Sequence, residues 1–236
     1  MSLLNSISRR SFLAGSASAG ALIAMHPFAT MASNSQAHLR IMETTDIHVA
    51  VHPYDYYADR PSDTMGLART ASLIADVRAE ATNSMLMDNG DLIQGNPMGD
   101  YVAYERGFKE GDLHPMIEAM NTLGFDIATV GNHEFNYGLS FLDKALAGAS
   151  FPFVSANVVM GTVLGSDPTK DKTLFAPYKI LEREITDGAG NKRPIKVGVI
   201  GFLPPQIMIW DAQHLTGKVT TRDIVQTAKA YVPMMK

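Results

Sequence analysis

Asp46, His48, Asp91, Asn132 and His133 are the residues of this 236-residue chain whose types and spacing could do chemistry. Each stands just past a short apolar run: Leu39 to Thr44 leads into Asp46-Ile47-His48, Met85 to Met87 into Asp88-Asn89-Gly90-Asp91, and Asp126 to Val130 into Gly131-Asn132-His133-Glu134. Read as extended chain, Asp46 and His48 send their side chains to the same side and can grip one cation. Asp91 has two carboxylate oxygens and suits a bridge between cations, and Asn132 adds a neutral carbonyl donor for the second one. Mixed carboxylate, imidazole and amide ligation suits Mn, Zn, Co, Fe or Ca better than a soft ion. Two such cations about 3.5–4 Å apart would clamp the attacking and leaving oxygens of a phosphoryl displacement. His133, not needed as a ligand, would stabilise developing charge or protonate the leaving oxygen. Glu134 is expected to orient its loop.

The positioning elements are legible as an alternation of strands and helices. The three apolar runs read as buried strands, and ligands in open α/β sheets gather at the carboxyl ends of such strands. Gly66 to Thr82 carries a helical stripe of Leu67, Ala71, Ile74, Val77 and Ala81. Pro115 to Leu123 and Gly138 to Ala147 read as two more helices, the first with proline at its opening position. Phe151 to Val158 and the buried-looking Lys196 to Gly201 are expected strands. Tyr178 to Thr186 should run into a hairpin turn at Asp187 to Asn191. Thr221 to Lys236 is amphipathic and helical until Pro233 breaks it. The pattern predicts a parallel or mixed sheet covered by helices.

Composition excludes several alternatives. The chain has no cysteine, so disulfides, thiolate metal sites and a cysteine nucleophile are ruled out. A net charge of −4 gives no reason to expect a nucleic acid polymer as partner. Ser8-Arg9-Arg10-Ser11-Phe12-Leu13 followed by a small-residue apolar run to Met25 is similar to a twin-arginine (Tat) signal peptide, too short to span a bilayer. Thr30-Met31-Ala32 places cleavage after Ala32, so residues 1–32 are the expected signal. That predicts passage through the Tat export machinery to the periplasm, with no stable membrane anchor after cleavage.

Taken together, Asp46-x-His48, Gly90-Asp91 and Gly131-Asn132-His133-Glu134 resemble the first three signature blocks of the calcineurin-like metallophosphoesterases. Within them the chain resembles the 5′-nucleotidase family, most closely its bifunctional 2′,3′-cyclic-nucleotide 2′-phosphodiesterase/3′-nucleotidase branch. Met42 to Asp46, Tyr54 to Tyr57, Asp88 to Gly95, Gly131 to Gly138 and Gly201 to Gln206 carry the branch assignment. Asn136 supports it, because 5′-nucleotidases usually place Asp there beside the catalytic histidine. The resemblance implies an α/β, mixed-sheet sandwich covered by helices over residues 39–236, nucleotides as substrates, and two divalent metal ions. It implies that Asp46 and His48 bind one ion, that Asp91 bridges, that Asn132 binds the second and that His133 assists catalysis. The alternative substrates are 5′-nucleotides and UDP-sugars.

The family also uses a later Gly-His and a Gly-His-x-His, and this sequence has no Gly-His pair. The expectation is therefore an amino-terminal part that stops before its last strands, without the carboxy-terminal nucleotide-binding domain. A rival of a different class follows: an inert fragment that binds metal weakly and turns over nothing, since four ligands are few for two cations. The remaining candidates read blandly: His52 could approach the site but reads as a solvated loop residue, His114 as a capping or loop residue before a helix, His214 as a surface-loop residue. Trp210 and the methionines around Met85 and Met234 read as packing.

Overall fold

A computed structural model describes residues 36–236. The twin-arginine pattern, its apolar run and the cleavage point after Ala32 lie outside the described residues. The first half of the chain contains β1 (Arg40–Thr44), β2 (Tyr54–Asp55), β3 (Arg60–Pro61), α1 (Leu67–Glu80), β4 (Ser84–Asp88), α2 (Pro97–Asp100), α3 (Pro115–Leu123) and β5 (Ile127–Thr129). The second half contains α4 (Leu139–Ala147), β6 (Phe153–Val154), β7 (Val158–Met160), β8 (Tyr178–Thr186), β9 (Lys192–Ile200), α5 (Ile207–Trp210), α6 (Ala212–Leu215), β10 (Val219–Thr221) and α7 (Ile224–Tyr231).

β1, β4, β5 and β6 pair in that order as a parallel sheet. The inner strands β4 and β5 are hydrophobic on both faces because both are covered, whereas the edge strand β1 is largely exposed. Leu86 and Ala128 join Ile74 of α1, Ile117 and Met120 of α3 and Leu142 of α4 in the larger core. Met85, Ile127 and Val154 point the other way, onto Leu181, Val197 and Val199 of the β8–β9 hairpin. The sheet is thus a middle layer between helices and a hairpin.

Polar side chains fix the register at the amino ends of the strands. Asp126 accepts the Leu86 N–H at 2.8 Å and pairs with Arg183 of β8 at 2.7 Å. Asn83 accepts the Thr186 N–H at 2.7 Å and donates to the Thr186 and His38 carbonyls. On the helical side Arg78 of α1 donates to the carbonyls of Leu123 and Gly124, satisfying the end of α3. With the amino ends so anchored, the carboxyl ends carry the loops.

His114 is the N-cap of α3, its Nδ1 accepting from the Met116 N–H at 3.2 Å. It is fully buried, and burial lowers its pKa to about 4.

Four expectations need correction. Phe151 to Val158 is two short strands, because the backbone at Ser155 and Ala156 bonds to Ala176 and Gly201 instead of a neighbouring strand. The buried Asn157 side chain then holds that break through Leu203 and Arg222. Lys196 to Gly201 is not a buried strand: β9 pairs only with β8, and just one of its faces meets the sheet, so burial alternates. Trp210 is 57% exposed, since Ile207 and Asp211 occupy the inward side of that turn; Met234 is exposed as well. His214 sits in the one-turn α6 rather than in a loop.

Candidate metal centre

The β1–β4 pairing does not stop where the strands stop. Asn89 N–H donates to Thr44, Asp46 N–H to Gly90, His48 N–H to Asp91 and Val49 N–H to Leu92, at 2.8–3.0 Å, so the two loops zip together beyond the sheet. The zip bends the chain sharply. Asp46, His48, Val49 and Asp91 have φ of 53°, 49°, 57° and 60°, four of the five non-glycine residues with positive φ among the described residues. Left-handed backbone on a branched or acidic residue costs on the order of 1–3 kcal/mol each and gathers at functional sites. Asp46 and His48 therefore converge by left-handed turning, which corrects the extended reading, although the two side chains still meet: His48 Nε2 lies 3.8 Å from Asp46 Oδ1.

Close approach also requires glycine at two places. A Cβ at Gly90, whose φ is 92°, would collide with the Gly131 backbone nitrogen, and one at Gly95 would collide with the His48 ring.

The third loop comes from β5 and closes on the second. A 3-10 turn, Asn132–Phe135, aims His133 at Asp91, whose Oδ1 accepts the His133 N–H at 2.8 Å. Donor atoms of His48, Asp91 and His133 lie within 4.8 Å of one another. The two imidazoles meet edge to face with ring centroids 4.7 Å apart. His48 Nδ1 is 2.7 Å from the Gln94 carbonyl, which can only accept. With the ring neutral, Nδ1 therefore carries the proton, which leaves the Nε2 lone pair free for a cation. A ligating histidine held through its other nitrogen is the usual arrangement at a metal. The donor chemistry fits a hard or borderline divalent cation.

Asn132 opens the same 3-10 turn, so the structure brings all five predicted residues to one edge of the sheet. Asp46 is the most open of them, its side chain 60% exposed, with Oδ2 accepting from the Thr45 hydroxyl. His52 is exposed and stands outside the cluster. Gln94 lies in the Asp88 to Gly95 stretch of the second loop. It serves both histidines, through its carbonyl to His48 and through Oε1 to His133 Nδ1 at 2.6 Å.

Glu134 organises the loops as expected. It is fully buried and accepts four backbone N–H groups: Asp91 at 2.8 Å, Leu92 at 2.5 Å, Ile93 at 3.3 Å and Gly131 at 2.5 Å. Burial raises its pKa, while the donors of Leu92, Asp91 and Gly131 oppose the rise. Four donors and no acceptor are the surroundings of a carboxylate.

Asp88 lies below that loop at the end of β4. Burial pushes its pKa up to about 7, against the Thr44 hydroxyl at 2.6 Å and the Gly90 N–H at 2.7 Å. A carboxyl that holds its proton more tightly when folded favours folding below its unfolded pKa and loses that contribution as pH rises to about 7. In the metal-free protein, Asp88→Asn should therefore raise the denaturation midpoint at pH 8 and leave it unchanged near pH 4. A midpoint lowered equally at both pH values would contradict this.

Residues 39–198 match the calcineurin-like phosphoesterase family. A 2′,3′-cyclic-nucleotide 2′-phosphodiesterase/3′-nucleotidase of Salmonella typhimurium is 54% identical over 198 residues, covering 84% of this chain and 29% of that protein. Its Haemophilus influenzae counterpart is 46% identical over 230 residues, 98% of this chain and 34% of that protein. The crystal structure of the calcineurin-like phosphoesterase YfkN from Bacillus subtilis superposes with a TM-score of 0.78 at 48% identity, over 85% of this chain and 58% of that one. The chain thus spans 29–34% of the length of these two curated relatives.

Proposed function

The chain belongs to the calcineurin-like phosphoesterase family, and from that premise we propose that it carries the metal-holding part of a nucleotide hydrolase, a 2′,3′-cyclic-nucleotide 2′-phosphodiesterase and 3′-nucleotidase. The observation that supports this most is the convergence of His48, Asp91 and His133 from three strand ends onto one small volume. The choice of branch rests on the 46–54% identity to two such enzymes and on Asn136 beside His133.

In this reading Asp46, His48, Asp91 and Asn132 hold two divalent ions of Mn, Zn, Co or Fe type. When bound, these supply an activated water and neutralise phosphoryl charge. His133 acts in its doubly protonated form: it presents Nε2–H to the leaving oxygen and gives up that proton, keeping the one on Nδ1 that Gln94 and Asn136 hold. The zipped loops keep the donors in place before substrate arrives. The amino-terminal pattern supports Tat export to the periplasm with a nucleotide as the small-molecule partner. Among the described residues no helix is long and apolar enough to cross a membrane.

The rival reading is a folded metal binder without turnover, and it draws on the small number of donors and the 29–34% span of the relatives. A single assay separates the readings. The chain from Ser33 onward is given 2′,3′-cyclic AMP, 3′-AMP, 5′-AMP or UDP-glucose with Mn²⁺ or Co²⁺, with EDTA as control. Metal-dependent conversion of the first two is expected. Preference for 5′-AMP or UDP-glucose would move the assignment to the 5′-nucleotidase branch, and turnover only in a chain of the relatives' length would favour the inert reading.

A further inference from the structure

We propose that Asp211 is a positioning residue for His133, acting through Asn136 from a segment 75 residues away in sequence. The inference deepens the proposed hydrolase reading and rests on His133 having a role in it. Asn136 Nδ2 donates to Asp211 Oδ1 at 2.8 Å, and Asn136 Oδ1 lies 2.7 Å from His133 Nδ1. An asparagine amide alone can sit either way round, and its neighbours decide. A carboxylate only accepts, so Asp211 compels the amide nitrogen to face it and the amide oxygen to face the histidine. His133 Nδ1 must then carry a proton, which leaves Nε2 as the nitrogen that meets the reaction. Gln94 Oε1, 2.6 Å from the same Nδ1, agrees with that polarity.

Asp211 has little other use. It is 3% exposed, and its second oxygen, Oδ2, is buried without a partner. A buried carboxylate with one hydrogen bond is a poor source of stability, which makes a role through that one bond the better account of it. His214, three residues on and next to Gly138, donates its backbone N–H to the Asp211 carbonyl, not to the carboxylate. Asn136 is thus the protein partner of the side chain.

The test needs no turnover. In metal-free protein labelled with ¹⁵N in its histidines, His133 is assigned by its loss in His133→Gln. The ring is then examined at a pH where it is neutral. The expected result is the Nδ1–H tautomer in the parent protein and a mixture in Asp211→Leu. Asp211→Asn, close in shape, guards against misfolding of the leucine variant and should also give a mixture, because an amide at 211 accepts either orientation of Asn136. Pairing Asn136→Asp with Asp211→Asn reverses the polarity of the link, and Nδ1–H should return. In turnover, Asp211→Leu should lower kcat on the order of tenfold with KM unchanged, and thermal stability should be unchanged or higher. An Nε2–H tautomer in the parent protein, an unchanged tautomer in both Asp211 variants, or no recovery in the paired variant would overturn the proposal. Failure of the hydrolase reading would show as absent turnover with the tautomer pattern intact.

Discussion

Glu134→Ala should lower the stability of the folded chain on the order of 3–5 kcal/mol and abolish metal binding with it. Glu134 is the common acceptor for N–H groups of the second and third loops. Without it the N–H groups of Asp91, Leu92, Ile93 and Gly131 lose their acceptor, and those of Leu92 and Ile93, which are buried, cost about 1–3 kcal/mol each when left unpaired. Glu134→Gln is nearly as severe despite its shape, because its amide NH₂ must point at N–H groups from one side or the other. Urea denaturation followed by circular dichroism reads the loss. A midpoint close to the parent protein's in both variants would mean that the loops are held by the backbone zip alone.

Asp91→Ala is the second large effect, and here folding should survive. Asp91 takes a single N–H, from His133, and its backbone link to His48 uses the main chain, which alanine keeps. What disappears is the carboxylate at the centre of the donor cluster. Metal-dependent hydrolysis of bis-p-nitrophenyl phosphate should fall by on the order of a thousandfold or more, with a circular dichroism spectrum like the parent's. An unchanged rate in the purified variant would remove Asp91 from the site.

The strand ends carrying Asp46, His48, Asp91, Asn132 and His133 are legible in the sequence because a buried parallel strand is an unbroken apolar run and its polar residues start where it ends. The bend that brings Asp46 and His48 together is not legible. Left-handed backbone at Asp46, His48, Val49 and Asp91 is imposed by pairing between loops, and nothing in those residue types asks for it. Gln94 escapes a sequence reading for a similar reason: half its work is done by a carbonyl that every residue has. Asp211 contacts Asn136 across 75 positions and sits in a stretch whose local pattern suggests only a surface turn. The splitting of Phe151 to Val158 was hidden because its hydrophobicity is continuous, while the partners that break it, Ala176 and Gly201, lie further along the chain.

Three strand ends that make one site should bind metal as a unit. The most direct measurement is equilibrium dialysis of the metal-free chain against Mn²⁺ or Zn²⁺, followed by elemental analysis, in the parent protein and in Asp91→Ala and His48→Ala. Stoichiometric binding by the parent protein that is lost in both variants is the predicted result. Binding that persists in both, or none above background in the parent protein, would contradict it.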